Sequence, residues 1–382
     1  MKILHTADWH IGSSLQGMSR KDEQQAVLDE IIDIAESEKV DAVFVCGDVF
    51  HHTNSAGYAD KMVIDTLLKL AGGGRRCVVV IIGNHDDADR LTAFKQFAEK
   101  ENIFLVDSLN YNYGLEFDSK FKINLVECGK GYLTFKKGSE KLVVNLMPYP
   151  SGWFNEEKTI KGEDKIEKLA RLYACGATLF EKDSINISVG HFFVPTSTIK
   201  SDIYFSFPKD KIPKSDYVAL GHVHDGAAVS EKANIYYCGS PYQVNITESE
   251  NRFVNVVSFD KSKKAVVKKV KLSAHKKIAV IEVDSMADAK EKLKNKKDYL
   301  ISLKATADSL SAAEIKLLQE ANPNIFAFNI IPNIKKTIDL TKKKMTEKQV
   351  FEAFCKANGA AVDSNLLKTF ETVFRGGEDE IN

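Results

Sequence analysis

Residues 2–86 predict an α/β fold with a parallel sheet, and three observations carry that prediction. Apolar runs recur at 2–7, 40–46 and 78–82, each of strand length. Helical patterns fill the gaps between them, so the order is strand-helix-strand-helix-strand. Each run also ends in residue types suited to chemistry: Asp8-Trp9-His10, Gly47-Asp48 and Gly83-Asn84-His85-Asp86. Open α/β sheets place their sites just beyond the carboxyl ends of the strands, so these three ends should converge on one edge.

The elements follow in order. Residues 2–7 form the first strand. Asp8 and His10, two apart, share a face and can meet one cation if the strand persists; a polar loop with a capping Asp is the alternative. Residues 19–39 turn periodic, with Val27, Leu28, Ile31, Ile32, Ile34 and Ala35 as a helical stripe. The second buried strand spans 40–46. Residues 58–70 read as a helix stopped by Gly72-Gly73-Gly74. The third strand, 78–82, is apolar throughout, as expected of a strand covered on both faces. Residues 88–100 predict one helix. From 103 to 149 short alternating strands, including 122–126 and 141–146, predict a second, partly antiparallel sheet.

Residues 164–181 read as a helix. A strand at 185–190 delivers His191; a lone histidine after a strand is more often structural than functional. A strand at 217–220 delivers Gly221-His222-Val223-His224, where two histidines at i, i+2 face one side. Between them, 195–213 is a polar loop holding Tyr204, Phe205 and Phe207. Strands at 235–238 and 253–259 follow. Beyond residue 260 the texture becomes basic, with Lys261-Ser262-Lys263-Lys264 and Lys268-Lys269-Val270-Lys271 read as a solvated strand and turn, or as a DNA contact. Strands at 277–283, 299–305 and 325–331 alternate with helices at 286–294 and 312–321, which suggests a small α+β domain without ligand residues. A basic linker, 335–344, leads to short amphipathic helices at 347–356 and 366–374. Their apolar residues, Phe351, Phe354, Leu366, Leu367, Phe370, Val373 and Phe374, must pack on the chain itself or on a partner. The expected domains are 1–272, 273–335 and 336–382.

Composition narrows the function classes. The 382 residues suit two or three domains. Lys+Arg and Asp+Glu both number 53, so no basic excess draws the chain to nucleic acid; any DNA site rests on local clustering or on bound cations. The six cysteines include no C-x-x-C pair and several sit in strand-like runs, which favours reduced core thiols over disulfides or zinc ligands. With no signal-like start and no apolar run of membrane-spanning length, the expectation is a soluble cytoplasmic protein.

Asp8, His10, Asp48, Asn84, His191, His222 and His224 form the candidate ligand set. Seven N and O donors exceed one tetrahedral ion and suit two ions sharing a carboxylate. Mixed imidazole and carboxylate donors favour Mn²⁺, Fe²⁺ or Zn²⁺ over Ca²⁺. Two such ions generate hydroxide at neutral pH and clamp an in-line displacement at phosphorus. His85, next to a candidate ligand, is left for general-acid work or for charge stabilisation at the phosphate.

Taken together, Asp8-x-His10, Gly47-Asp48, Gly83-Asn84-His85-Asp86, Gly190-His191 and Gly221-His222-Val223-His224 resemble the metallophosphoesterase superfamily. Within it the chain is similar to the SbcD family of double-strand-break repair nucleases. The stretches Ile3-Leu4-His5-Thr6-Ala7-Asp8-Trp9-His10-Ile11-Gly12, Gly47-Asp48-Val49-Phe50, Met147-Pro148-Tyr149-Pro150 and Tyr237-Cys238-Gly239-Ser240-Pro241 favour that branch. The resemblance implies an α/β four-layer sandwich of two mixed sheets flanked by helices, with a capping domain and C-terminal helices. It also implies site assignments: Asp8, His10 and His224 on one ion, Asn84, His191 and His222 on the other, Asp48 bridging. His85 would protonate the leaving 3′ oxygen or steady the phosphate. His51 stands where an Asp or His orients that catalytic histidine, and many relatives have Asp there. His5, His52 and His275 read as structural or exposed.

The activity so implied is a Mn²⁺-dependent nuclease acting on double-strand ends as a 3′-5′ exonuclease and on hairpins as an endonuclease. Its setting would be DNA repair, recombination and replication, and on DNA the protein would be nucleoid-associated. Its partner would be an SbcC-like coiled-coil ATPase docking the C-terminal helices. A homodimer would form through the 58–70 helix, whose Met62, Val63, Ile64, Leu67, Leu68 and Leu70 exceed one core stripe. The Lys-rich capping surface, Arg75 and Arg76 would touch the DNA backbone, which positions without reading sequence. A small-molecule or cyclic-nucleotide phosphodiesterase uses the same ligands, but needs neither the extra domain nor the terminal helices. A non-enzymatic scaffold is disfavoured by the complete ligand set. A protein phosphatase is disfavoured because the Arg-flanked Gly-Asp and Gly-Asn-His-Glu pattern is missing.

Overall fold

A computed structural model describes residues 1–52, 57–113, 120–196, 206–260, 262–306, 308–331, 346–357, 362, 366, 367 and 370. The 335–344 linker, most of the 366–374 helix and residues 197–205 of the 195–213 loop, with Tyr204 and Phe205, lie outside the described residues. The chain divides into two compact units, Met1–Ala279 with Asp298–Leu300, and Val280–Lys297 with Ile301–Asn382.

Two sheets form the first unit. Four parallel strands, Lys2–Thr6, Ala42–Cys46, Cys77–Ile81 and Ile103–Val106, lie side by side in that order. Phe253–Phe259 and then Ala265–Lys271 continue this sheet antiparallel beyond Lys2–Thr6. The second sheet runs parallel through Glu140–Met147, Ile185–His191, Tyr217–Gly221 and Ile235–Tyr237. Its edges are antiparallel, Ala227–Ser230 on one side and Tyr132–Lys137 with Asn124–Gly129 on the other.

Strand alternation sorts the side chains into layers. In Ala42–Cys46, Val43 and Val45 face the helices Lys21–Ser37 and Tyr58–Ala71 and pack with Val27, Leu28, Ile31, Met62, Val63 and Leu67. Phe44 and Cys46 point the other way, into the layer where Val79 and Ile81 meet Val144, Leu146, Ile187 and Val189 of the second sheet. On that sheet's far side Val218 and Leu220 pack on Leu169, Leu172 and Tyr173 of helix Lys165–Tyr173. The result is the expected order of helix, sheet, sheet and helix.

Three elements differ from the sequence reading. Ile103–Val106 belongs to the first sheet, parallel to Cys77–Ile81, and among the described residues the second sheet begins at Asn124. All four of its residues are buried, the pattern of a strand covered on both faces rather than an alternating one. The helix expected over 88–100 is two short ones, Ala88–Thr92 and Lys95–Glu99, because the backbone breaks at Phe94, which packs against the helix-facing core. The helix expected over 164–181 starts on an Asp164–Glu167 capping box but stops at Tyr173. Gly176 then passes so close to Gly131 that a Cβ would overlap its carbonyl oxygen, and the chain tightens into a 3₁₀ turn there.

A three-stranded sheet, Lys277–Val283, Tyr299–Thr306 and Ile325–Ile331 in that order, the last two parallel, has most of its residues in the second unit. Helices Met286–Leu293 and Ala312–Ala321 start on Ser285 and Ser311 caps. Near the C-terminus, Phe351 of helix Glu347–Ala357 stacks on Phe370 at 4.1 Å, so these two segments pack on each other, while Phe354 and Leu366 stay exposed. All six cysteines are free thiols. Among the described residues no helix is long and apolar enough to cross a membrane.

Arg76 is not a surface cation. Its guanidinium is buried and donates to the Leu70 and Lys69 carbonyls and to Glu36, tying off the end of helix Tyr58–Ala71. Arg75 is exposed and bonds Glu36 at 2.7 Å. Removing a buried donor strands its acceptors at a cost of about 2 kcal/mol, whereas an exposed pair changes stability by about 0.5 kcal/mol or less. Both tryptophans, Trp9 and Trp153, lie in the first unit. In tryptophan-monitored urea unfolding, Arg76→Ala should therefore lower the first unit's stability by about 2 kcal/mol and Arg75→Ala by a quarter of that or less.

Candidate metal centre

Strand ends from both sheets meet at one place. Asp8 and His10 follow Lys2–Thr6, Asp48 follows Ala42–Cys46, and Asn84 and His85 follow Cys77–Ile81. His191 ends Ile185–His191, while His222 and His224 follow Tyr217–Gly221. Strand alternation is not what aligns them. Asp8, His10, Asp48 and His222 have φ of 54°, 45°, 51° and 99°, a left-handed backbone that costs an L residue about 1–2 kcal/mol. Bonds between neighbouring strand ends hold these turns: Asp8 N donates to the Gly47 carbonyl at 3.0 Å and His10 N to the Asp48 carbonyl at 2.9 Å. Glycines clear the space. A Cβ on Gly47 would run into the His191 ring, on Gly83 into the Asp48 carboxylate, and on Gly221 into the Cys46 carbonyl.

The seven residues form two groups around Asp48. Ligand atoms of Asp8, His10, Asp48 and His224 all lie within 4.8 Å of one another. Opposite them, His191 Nε2 and His222 Nδ1 sit 3.1 and 2.8 Å from Asn84 Oδ1. Asp48 Oδ2 is 3.6 Å from His10 Nε2 and 3.5 Å from His191 Nε2, so one oxygen faces both groups. Asp48 Oδ1 accepts from His85 N at 2.9 Å.

The donor set fits divalent cations. Asp8 and Asp48 are buried carboxylates in one cluster, where like charges so close repel by about 3 kcal/mol at an effective dielectric of ~20. Asp8 Oδ2 is buried and has no hydrogen-bond partner among the described residues. His10 Nε2 and His224 Nε2 face each other at 3.0 Å. A carboxylate oxygen without a donor and two nitrogens turned on one point are what a cation satisfies.

Burial and neighbouring charges set the protonation. Burial pushes the Asp8 carboxyl up to about 6. Burial also opposes ionisation of Asp48, but the charge and hydrogen bond of His191 hold it well below the usual range. Burial disfavours a charged His191 in turn, yet Asp48 and Asp8 raise it to about 9. Burial and cationic neighbours lower His222 to about 3, and burial keeps His10 far below the ordinary histidine value. Protons and divalent cations therefore compete for the same buried nitrogens and oxygens.

Around this centre stand residues with other contacts. His85 Nδ1 donates to the His51 carbonyl at 3.0 Å. The His51 and His85 rings are stacked 5.9 Å apart, and His51 Nδ1 instead lies 3.3 Å from His10 Nδ1. The backbone of residue 51 therefore orients His85, while its side chain reaches His10. Burial and His52 lower His51 to about 4. His5 is buried against Tyr217 Oη and the Leu220 carbonyl, His275 bonds the Glu250 carbonyl, and His52 is exposed.

Three contributors have no role in the sequence reading, although Asp86 and Tyr149 lie in its motifs. Asp86 accepts from Gly83 N and Phe50 N, both at 2.9 Å, joining two of the strand-end loops. Its place in Gly-Asn-His-Asp was a usable signal. Tyr149 lies nearly parallel to the His222 ring at 6.4 Å. Glu248 accepts from His224 Nδ1 at 2.8 Å, and no motif or spacing marks it.

A family model described as calcineurin-like phosphoesterase matches residues 1–226. The SbcD component of the nuclease SbcCD from Bacillus subtilis (strain 168) is 28% identical over 408 aligned residues, covering 100% of this chain and 99% of the relative. The SbcD component of the Escherichia coli (strain K12) nuclease is 26% identical, covering 74% of this chain and 71% of its own. Among solved structures, GAP50, the anchor in the inner membrane complex of Plasmodium, aligns over 88% of this chain and 99% of its own with 11% identity and a TM-score of 0.42.

The glycine floor makes a direct test. Binding to the folded state alone stabilises by about 2.7 kcal/mol when ligand exceeds Kd a hundredfold, so Mn²⁺ should raise the melting temperature of the wild-type chain. Gly83→Ala, whose Cβ would displace the Asp48 carboxylate, is expected to lose that rise. Gly152→Ala, where a Cβ meets nothing within 4 Å, should keep it.

Proposed function

Because the chain belongs to the calcineurin-like phosphoesterase family, we propose that it is the nuclease subunit of an SbcCD-like complex. The observation that carries this reading is the position of Asp48 Oδ2, 3.6 and 3.5 Å from His10 and His191, between two groups of donors. An alignment spanning 100% of this chain and 99% of the Bacillus subtilis relative supports it. The substrates would be double-strand ends, degraded 3′-5′, and DNA hairpins, cut internally, during repair, recombination and replication.

In this reading Asp8, His10 and His224 hold one divalent ion, Asn84, His191 and His222 the other, and Asp48 serves both, with Mn²⁺ as the preferred metal. Bound there, the ions would supply Lewis acidity and a hydroxide nucleophile at neutral pH. The chain's own groups do the rest. The His85 amide fixes Asp48 Oδ1 and leaves Oδ2 toward the donors. The carbonyl of residue 51 holds His85 Nδ1–H, so a proton for the departing 3′ oxygen has to be a second one, carried on Nε2 by the imidazolium form. The side chain of His51, turned to His10, steadies that ring.

The domain assignments complete the proposal. Residues 1–272 carry the nuclease site and 273–335 form the capping domain. Lys290, Lys294 and Lys297 rim one groove of the second unit and offer charge to the DNA backbone. Residues 336–382 dock the coiled-coil ATPase, for which exposed Phe354 and Leu366 are contact points. A homodimer forms through the helix Tyr58–Ala71, where Leu68 is 40% exposed beside Phe97 at 72%.

The test is cleavage of a labelled duplex with one hairpin end by the purified chain, in Mn²⁺, in Mg²⁺ and in EDTA. We expect Mn²⁺-dependent cleavage that falls at least a hundredfold in His85→Ala, while Mn²⁺ binding persists because the amide to Asp48 remains. Hydrolysis of bis-p-nitrophenyl phosphate with DNA left intact, even after the ATPase and ATP are added, would replace this reading with a small-molecule phosphodiesterase.

A further inference from the structure

We infer that Glu248 is a positioning residue that sets the ligand strength and tautomer of His224, and so sets apart one of the two ion sites. The inference rests on the two-ion reading above. It starts from the bonds Glu248 makes. Oε1 accepts from His224 Nδ1 at 2.8 Å and from Asn245 N at 3.0 Å. Oε2 accepts from Val244 N at 2.9 Å and from an Arg252 guanidinium nitrogen at 2.8 Å. Both oxygens are thus bonded twice, and the side chain is only 9% exposed. A carboxylate held by two amides and a buried guanidinium has one place to point.

The histidine is held as firmly. Arg252, itself 1% exposed, donates its other terminal nitrogen to the His224 carbonyl at 2.7 Å, and Ser240 N donates to the same carbonyl at 2.9 Å. The backbone and Nδ1 of His224 are therefore fixed by one buried Glu–Arg unit. Because a carboxylate only accepts, Nδ1 carries the hydrogen and Nε2 presents its lone pair. Nε2 is the nitrogen facing His10 and the carboxylates of Asp8 and Asp48.

The second donor group is built differently. His191 Nδ1 donates to the Cys46 carbonyl at 2.7 Å, a neutral acceptor. A carboxylate behind an imidazole makes its far nitrogen a better donor than a carbonyl does, and losing such a support typically weakens metal affinity 10–100-fold. Glu248 thus biases the Asp8/His10/His224 site toward tighter binding, and the two sites should fill in order.

Mn²⁺ alone is the probe, with free Mn²⁺ counted by electron paramagnetic resonance and no substrate present. Wild type should bind two ions with distinct affinities. Glu248→Gln keeps an acceptor for His224 but removes the charge. We expect it to weaken one of the two ions 10–100-fold, leave the other within about twofold, and leave the metal-free melting temperature within a few degrees. Glu248→Asp, which keeps the charge on a shorter arm, should restore part of the lost affinity. Unchanged affinities in Glu248→Gln would overturn the inference. So would a parallel fall of both with a lower metal-free melting temperature, since that is loss of the loop rather than of ligand tuning. Should Glu248→Gln fail to fold, Glu248→Asp decides: selective weakening of one ion supports the role and equal affinities refute it. A wild-type chain that binds no Mn²⁺ would sink the two-ion reading itself, an outcome distinct from all of these.

Discussion

The structure turns on one buried carboxylate. Asp48 lies at the crossing of the two sheets, with Oδ2 toward His10 and His191 and Oδ1 on the His85 amide. An isolated carboxylate there would be costly to bury. It persists because each nearby group is delivered by a different strand end: His10 from the first strand, His85 from the third, His191 from the second sheet. The face-to-face packing of Phe44, Val79, Leu146 and Val189 sets the distance between the sheets and thereby the distance between the donors. Packing and site are one constraint, because a shift of either sheet would separate His191 from Asp48.

Much of this could be read from residue order. The buried strands ending in Asp8, Asp48 and Asn84 are visible as apolar runs followed by polar punctuation, and so are the helices covering them. What escaped has physical reasons. Ile103–Val106 has no alternation because both its faces are covered, so its sheet could not be told from pattern alone. The break at Phe94 has neither Gly nor Pro to announce it; tertiary packing of one aromatic ring overrides the local preference. Arg76 looks like any surface cation beside Arg75, and only the fold sends one inward and the other outward. Even where the right residues were found, the reason differed: left-handed turns, not strand alternation, bring Asp8 to His10 and set His222 beside Asn84.

Glu248 was beyond reach for another reason. It lies in a loop with no periodicity, 24 positions from the histidine it supports. Long-range bonds of this kind also hold the stretch that leads out of the first unit. Ser273 and Ala274 amides bond Glu30, Lys276 N bonds Glu23, and Ile278 N bonds Gln243. Gln243 in turn donates its amide to the Glu248 carbonyl at 2.8 Å. One glutamine thus touches both the exit path of the chain and the loop that supports His224.

The glycines at 47, 83 and 221 bear on how such a centre can change over generations. A lost ligand or supporting carboxylate leaves a gap that a later reversion can refill, and water can occupy it meanwhile. A methyl group at one of these three positions meets backbone, a ring or a carboxylate with nowhere to go. Routes through sequence space that pass through alanine there are closed, whatever happens elsewhere. The empty volume beside three α-carbons therefore confines the lineage as strictly as the atoms that bind.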